Sequence, residues 1–321
     1  MLQTCKDLAV EAAWRLARPA GPPLNYSWSP DSDWAASARI IWPTRYQWAP
    51  TRKWVEPLRR ALRRLIPLES HDLPQPYPGI VLFDLVVAGT STTIAIDCSD
   101  KPTINTTCVD CVPVYFKMQY SSRGYPWPHV VPGGFGPADS SVYQFLPRLR
   151  ALASRAAPIF DVYGRFGLQF ASDLRREAIG RLADAPEIRY AGGAGIVRYS
   201  RFLREVAMSK VCINLPGNGD LCFRLMDYFA VGACIIGPKL ENTLNAPLVD
   251  RVHIVYTKDD LSDLVPLCRQ YVEDDRAREA IRHNARQVFD RFLSSDQLAA
   301  YYLHECRRWL EPVEREVAAA R

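Results

Sequence analysis

Several features are missing from this sequence, and each absence narrows what the chain can be. No run of about 18 consecutive apolar residues occurs, so no conventional membrane-spanning helix is expected. Lys6, Asp7, Glu11 and Arg15 interrupt the first apolar stretch, so we expect no secretory signal peptide. The formal net charge is only +5, which is too weak a basic excess to predict a nucleic-acid-binding protein.

A regular cysteine framework is also absent. The chain has nine cysteines, an odd number, and several stand in apolar contexts, as Cys212 and Cys234 do. This pattern is typical of reduced thiols and predicts a cytoplasmic protein. Cys108 and Cys111 form a lone C-x-x-C motif that lacks the second pair of ligands a structural zinc ion needs. We therefore expect no metal site.

The sequence does contain enough apolar material for two domains. Of its 321 residues, 48% are hydrophobic and 23% are charged, as in globular proteins. A proline-containing break at 156–158 separates two halves, so the predicted domains are 1–155 and 156–321. Strand and helix patterns alternate through the second half, which predicts an α/β fold with a doubly wound parallel sheet.

The residue patterns predict the following elements. The expected strands are 79–87, 92–97, 112–118, 159–163, 188–191, 211–215, 233–236 and 253–256. The expected helices are 1–20, 140–155, 171–184, 198–208, 221–231, 241–249, 259–271, 274–292 and 295–310.

The most informative stretch is 209–237, which is predicted to form a strand, a glycine loop, a helix and a strand. Ligands of such sheets bind beyond the carboxyl ends of the strands, where this loop would lie. The loop consists of Pro216, Gly217, Asn218 and Gly219, and Asp220 is the expected N-cap of the helix. A helix N-terminus attracts anions, and a bound phosphate would explain the otherwise unfavourable Arg224 near the helix start. Asp227, one turn further, is a candidate ligand for a ribose hydroxyl. A purely structural turn with Arg224 paired to a carboxylate is the alternative.

A second stretch, 24–57, is rich in tryptophan, proline and basic residues. Aromatic rings stack on sugars and bases, so the segment is a candidate acceptor surface. Simple packing of a proline-rich segment is the alternative, and it is the interpretation that the stretch favours.

Three parts of the sequence resemble known glycosyltransferases. Residues 160–167, Phe-Asp-Val-Tyr-Gly-Arg-Phe-Gly, resemble the start of the donor domain in fucosyltransferase-like enzymes. Residues 199–238 resemble the following segment of those enzymes and of exostosin-like glycosyltransferases, and Tyr115-Phe116-Lys117 resembles a strand end of related transferases. The resemblance implies the GT-B fold, in which two Rossmann-like domains with parallel sheets face a cleft and the C-terminal helix crosses back to the first domain.

The resemblance also implies an activity: sugar transfer from a nucleotide-sugar donor, held mainly by the second domain, without an essential metal or other cofactor. Negative charge grows on the leaving diphosphate, so fixed cations and N–H groups are needed there. We assign Arg224 a catalytic role at the diphosphate, together with the backbone of Gly217, Asn218, Gly219 and Asp220. Arg165 and Lys117 are further candidate cations, and Asp227 is the candidate for the ribose.

An inverting transferase also needs a general base near the acceptor hydroxyl. Asp97, Asp110 and His129 of the first domain are the main candidates, with Asp84 and Asp100 beside them. The acceptor stays open between a glycan, a protein, a small molecule and a nucleic acid.

Other classes of protein stay open as well. A non-catalytic nucleotide- or glycan-binding protein and a nucleic-acid-modifying glycosyltransferase are the principal alternatives. A metal-dependent single-domain transferase would need a strand before its Asp-x-Asp pair. The stretch preceding Asp31 and Asp33 has no strand pattern.

Overall fold

The computed structural model describes residues 2–16 and 32–310. Within these ranges the helices are α1 (Leu2–Leu16), α2 (Ser32–Ser37), α3 (Arg52–Leu65), α4 (Thr106–Val109), α5 (Val142–Arg155), α6 (Ser172–Ala183), α7 (Tyr199–Ala207), α8 (Phe223–Val231), α9 (Leu264–Glu273), α10 (Asp275–Val288) and α11 (Ser295–Leu310). A 3₁₀ turn, Ala49–Thr51, precedes α3, and a π-helical turn, Phe289–Leu293, follows α10.

The strands form two separate sheets. They are β1 (Ala38–Pro43), β2 (Leu68–His71), β3 (Ile80–Val87), β4 (Thr90–Asp97), β5 (Tyr115–Lys117), β6 (Val130–Pro132), β7 (Phe160–Phe166), β8 (Tyr190–Ala194), β9 (Ser209–Ile213), β10 (Cys234–Pro238) and β11 (Val255–Thr257).

The chain divides into two compact units, one around each sheet. The five-stranded unit comprises the described residues of Met1–Leu24, Pro137–Glu241 and Ala246–Asp290. The six-stranded unit comprises the described residues of Asn25–Gly136, Asn242–Asn245 and Arg291–Arg321. The division falls at 136/137 and not at the 155/156 boundary expected from the sequence, because α5 packs against α7 and α8 of the five-stranded unit.

The sheet of the five-stranded unit is entirely parallel, in the order β11-β10-β9-β7-β8. Strands β9 and β10 at its centre are short and largely buried, as expected for strands covered on both faces. Helices α6 and α9 contact each other, and α5, α7 and α8 contact one another. This arrangement is the doubly wound α/β architecture that the sequence predicted.

The sheet of the six-stranded unit is mixed, in the order β2-β1-β3-β4-β5-β6. Strand β3 runs antiparallel to both β1 and β4, whereas β4, β5 and β6 are mutually parallel. The β3–β4 hairpin closes through Ala88 and Gly89, both with positive φ, as in a two-residue type I′ turn. The α/β class is therefore confirmed, but the antiparallel pairs were not expected from the sequence.

The last helix belongs to the six-stranded unit, as the sequence comparison implied. The Tyr302 ring of α11 stacks on Phe116 of β5, with centroids 3.8 Å apart and planes 11° apart. The Tyr302 hydroxyl donates to the Gly133 carbonyl oxygen at 2.8 Å. Helix α11 also packs along α3.

Two further expectations differ from the structure. The segment 241–249 forms no helix, and β1, β2 and β6 were not expected as strands. Trp34 and Trp42 of the tryptophan-rich stretch are buried, which confirms packing for these two rings. Trp28 and Asp31 lie outside the described residues. Among the helices that the structure describes, none combines the length and the apolar character needed to cross a membrane.

Candidate active site in the five-stranded unit

The candidate site lies where the strand order of the parallel sheet reverses. From β7 the chain moves to β8 on one side, then returns past β7 to β9 on the other. The two connections therefore diverge at the carboxyl ends of β7 and β9 and leave a crevice between them, which is where open α/β sheets bind ligands. We call this place the switch point.

Arg224, in the first turn of α8, reaches into the switch point. Its Nη2 donates to the Leu215 carbonyl oxygen at 2.6 Å, and its Nη1 to the Arg165 carbonyl oxygen at 3.4 Å. The guanidinium carbon lies 4.8 Å from the ring centroid of Phe166. Its buried Nε has no hydrogen-bond partner among the residues that the structure describes. The side chain thus bridges the carboxyl ends of the two strands.

A second arginine, Arg175, approaches the same place from the first turn of α6. Its Nε donates to the Pro216 carbonyl oxygen at 3.0 Å, and its Nη1 donates to the Gly167 carbonyl oxygen. Arg175 is 5% exposed, and burial, followed by the nearby Arg224 charge, lowers its pKa. Neither arginine forms a salt bridge with a carboxylate in the part of the chain that the structure describes. The switch point therefore carries two positive charges that no acid among residues 2–16 and 32–310 neutralises.

The dipole of α8 adds to this positive potential. Its N-cap residue is Cys222, whose side chain makes no capping hydrogen bond within the described part of the chain. At the other end Gly232, with φ +82°, closes the helix, and its carbonyl oxygen and that of Ala230 accept bonds from Arg282 and Arg150. These two C-terminal carbonyls are thus satisfied, whereas the positive N-terminus of the helix lies at the switch point.

The glycine loop lies beside Arg175, but its acidic residue does not cap the helix. A Cβ on Gly217 would lie 3.6 Å from Arg175 Nη2, and the Gly217 N–H donates to the Gly219 carbonyl oxygen at 2.9 Å. Asn218 is exposed. Asp220 accepts from the Glu241 N–H at 2.7 Å, and α8 begins at Phe223. The predicted N-cap role of Asp220 is therefore wrong, because its carboxylate ties the loop to the segment after β10.

Two other predicted donor-binding residues, Arg165 and Asp227, contact protein groups of the five-stranded unit. Arg165 pairs with Glu205 of α7, at 3.3 Å, so its carbonyl oxygen rather than its side chain meets Arg224. Asp227 is buried, and its Oδ1 accepts from the Tyr199 hydroxyl at 2.6 Å and from the Ala138 N–H at 3.3 Å. Their predicted ligand contacts stay predictions.

In the six-stranded unit, Asp97 and Lys117 come together in a buried ion pair. They face each other at the carboxyl ends of β4 and β5, and Lys117 Nζ donates to Asp97 Oδ2 at 2.9 Å. The Tyr115 hydroxyl and the Ser99 N–H also donate to Asp97, at 2.7 and 2.8 Å. Burial lowers the pKa of Lys117. This geometry favours a structural role for both residues.

The remaining candidate bases serve local contacts of the same unit. Asp110 accepts from the Trp127 indole N–H at 2.8 Å. His129 Nε2 lies 3.0 Å from the Val109 carbonyl oxygen, which can only accept, so Nε2 carries the hydrogen. No finding selects either residue as a catalytic base.

Sequence reasoning missed Arg175. The signal was available, because Arg175 is a cation in the first turn of a helix that follows a parallel strand, as Arg224 is. The two residues are 49 positions apart, and only the packing of α6 and α8 on opposite faces of the sheet brings them together.

The comparison with protein families bears on the same part of the chain. Residues 149–304 match the model of a family described as glycosyl transferase-like. We refer to this matched segment, which is just under half of the chain, as the glycosyl transferase-like domain. The glycosyl transferase-like domain contains the whole parallel sheet and the switch point. The family match confirms the predicted enzyme class, glycosyltransferase, but no finer assignment. The match does not distinguish exostosin-like from fucosyltransferase-like enzymes. No curated protein matches the chain.

Solved structures similar to the chain include three glycosyltransferase-related proteins. A glycosyltransferase from Rickettsia africae ESF-5 is 11% identical over 62% of this chain and 64% of its own, with a TM-score of 0.41. A GtfA/B complex is 16% identical over 63% and 47%, with a TM-score of 0.38. The pneumococcal O-GlcNAc transferase GtfA, with UDP and GlcNAc, is 15% identical over 64% and 47%, with a TM-score of 0.37. The chain thus spans about half to two thirds of the length of these proteins.

Proposed function

We propose that the chain is a glycosyltransferase that moves a sugar from a nucleoside-diphosphate sugar to an acceptor hydroxyl without a metal ion. The observation that carries this proposal is the pair of guanidinium groups, Arg175 and Arg224, that meet at the switch point of the glycosyl transferase-like domain without a neutralising carboxylate.

Glycosyl transfer from a nucleoside-diphosphate sugar requires a positively charged site of this kind. As the bond from the anomeric carbon to the diphosphate breaks, negative charge accumulates on the departing phosphate oxygens. Guanidinium groups and helix N–H groups that are fixed beforehand stabilise that charge without reorganising. Both arginines are held in place by bonds to strand-end carbonyls, so their remaining N–H groups are already oriented when the donor arrives.

The roles of individual residues follow from their positions. Arg224 and Arg175 contact the diphosphate, with the backbone of Gly217 to Asp220 and the first turn of α8 beside it. Because guanidinium groups occupy the place where a divalent cation would neutralise the diphosphate, transfer proceeds without metal. The general base stays open, and Asp97, Asp110 and His129 remain candidates.

The test compares three alanine variants by calorimetry with UDP, GDP, TDP and inorganic pyrophosphate. Arg224→Ala and Arg175→Ala each remove charged hydrogen bonds worth about 1.5–3 kcal/mol, so Kd should rise by about ten- to a hundredfold. Arg176→Ala is the matched control, because Arg176 is the next residue of α6 but its side chain is 64% exposed. It should leave Kd unchanged. Urea unfolding checks that each variant is folded.

Three results would contradict the proposal in different ways. Unchanged affinity in both arginine variants would show that the diphosphate binds elsewhere. Binding with no sugar release from any nucleotide sugar would indicate a non-catalytic binding protein. Turnover that EDTA abolishes and manganese restores would contradict the metal-free mechanism.

A further inference from the structure

The aromatic ring of Phe170 lies on the rim of the switch point and is not buried in the core of the five-stranded unit. It lies in the five-residue connection 167–171 between β7 and α6, and it is 48% exposed. It makes no ring contact within the described residues. A phenylalanine that is half exposed beside a buried charged pair has an apolar face available to a ligand.

The position of Phe170 is fixed by its neighbours. Gly167, before it, accepts from Arg175 through its carbonyl oxygen. Ala171, after it, adopts the left-handed conformation with φ +44°, which is strained for a residue with a side chain. The Ala171 carbonyl oxygen accepts from the Arg175 N–H at 3.0 Å. Arg175 therefore anchors both ends of the short segment that presents the ring.

The neighbouring part of the rim, at the end of β8, contains Gly193 and Gly195 and leaves open space at these two positions, and the side chain of Ile196 after them is exposed. Strands β7 and β8 are paired up to Phe166 and Ala194, so their connections leave the sheet side by side. The Gly195 N–H donates to the Phe166 carbonyl oxygen at 3.4 Å. A Cβ built on Gly193 or Gly195 would meet no atom within 4 Å. A flat ligand thus has room beside the Phe170 loop.

We propose that Phe170 is the stacking surface for the nucleobase of the donor. The inference rests on the proposed function, because it takes the diphosphate to lie at Arg175 and Arg224. Adjacent strands are about 4.8 Å apart, so β8 lies about 7 Å from the middle of the β7–β9 crevice. A nucleoside diphosphate extends over a comparable distance from its base to its phosphates. Stacking accepts any base because every base has a π face.

The experiment measures the Kd of UDP, GDP and inorganic pyrophosphate for Phe170→Ala. Loss of base–aromatic stacking should weaken both nucleotides by about five- to a hundredfold and leave pyrophosphate unchanged. Phe170→Tyr keeps the ring and should retain nucleotide affinity. Ile159→Ala is the matched control, because Ile159 is 49% exposed but precedes β7, at the opposite edge of the sheet.

The outcomes separate this inference from the proposed function. If Phe170→Ala binds both nucleotides like the unmodified chain while Arg224→Ala loses pyrophosphate, the stacking role is wrong and the diphosphate site stands. If Arg224→Ala and Arg175→Ala bind pyrophosphate with an unchanged Kd, the proposed function itself is wrong. If Phe170→Ala lowers sugar transfer without changing nucleotide Kd, the ring contacts the acceptor, and the nucleobase assignment is overturned.

Discussion

At the scale of single residues, Asp161 shows how one carboxylate secures the start of β7. Its oxygens accept two bonds from the Arg189 side chain, both at 2.9 Å, and one from the Arg189 N–H at 3.1 Å. Lys210 lies 3.3 Å away. The Arg189 side-chain bonds are the main reason that the pKa of Asp161 is well below its ordinary value.

This arrangement predicts an acid-sensitive contribution to stability. Because the pKa is lower in the folded than in the unfolded chain, the contribution is complete above about pH 4 and is lost as the pH falls below it. Asp161→Asn should lower the free energy of unfolding by about 2 kcal/mol at pH 7. That deficit should shrink progressively on acidification. Urea unfolding at a series of pH values measures it.

The control is Asp173→Asn, since Asp173 is a fully exposed carboxylate of the same unit. The free energy of unfolding of Asp173→Asn should differ little from that of the unmodified chain at any pH. A deficit of Asp161→Asn that stayed constant down to pH 2 would show that the carboxylate charge is not what stabilises this strand.

The candidate site was only partly predictable from its residues. The glycine loop and Arg224 stand close together in the sequence, so a local pattern reveals them. Arg175 belongs to another helix, and its contribution depends on long-range packing that no local pattern encodes. Asp97 and Lys117 were singled out as chemically active, but their pairing across adjacent strands explains both charges without a ligand.

At the scale of secondary-structure elements, a pair of glycines sets how β7 and β8 fit together. Gly164 and Gly192 are partners in the parallel register. A Cβ on Gly192, which has φ +127°, would lie 2.0 Å from the Gly164 carbonyl oxygen. Backbone atoms of a paired strand cannot move aside, so this position requires glycine.

Two glycine-to-alanine changes should therefore have opposite effects. Gly192→Ala should lower the free energy of unfolding by about 2–4 kcal/mol through overpacking and backbone strain. Gly180→Ala, within α6, should raise it by about 0.5–1 kcal/mol, because a Cβ there meets no neighbouring atom and alanine favours the helix. Chemical denaturation of the two variants measures both effects. Equal stability of the two would contradict the steric explanation.

The predictability of the elements differs between the two units. Alternating apolar runs and helical periods revealed every strand of the parallel sheet, and α11 was predicted with its observed limits. The six-stranded sheet was harder because β2, β5 and β6 have only three or four residues. Its hairpin turn uses Ala88 at φ +49°, where the usual signal would be Asn or Asp before Gly89.

At the scale of the whole molecule, the chain does not complete one unit before starting the other. The six-stranded unit takes its sheet from the first half and its last helix from Arg291 onward. Tyr302 joins these two parts through its ring contact with Phe116 and its hydrogen bond to Gly133.

Truncation of this side chain tests how far the unit depends on its last helix. Tyr302→Ala should destabilise the six-stranded unit by about 3–5 kcal/mol, comparable to other large-to-small core changes. Tyr302→Phe removes only the hydrogen bond and should lower the free energy of unfolding by about 1 kcal/mol. In hydrogen-exchange measurements on Tyr302→Ala, the backbone amides of β3 to β5 should lose protection first. Loss confined to β7 to β11 would contradict the assignment of α11.

The late position of α11 has a consequence for how the protein is made. A ribosome adds about 5–20 residues per second, so β5 emerges on the order of ten seconds before the helix that covers Phe116. During that interval the nascent sheet lacks its permanent cover and presents an apolar surface to solvent or to chaperones. Translation speed across the second half of the message should therefore influence the yield of native protein.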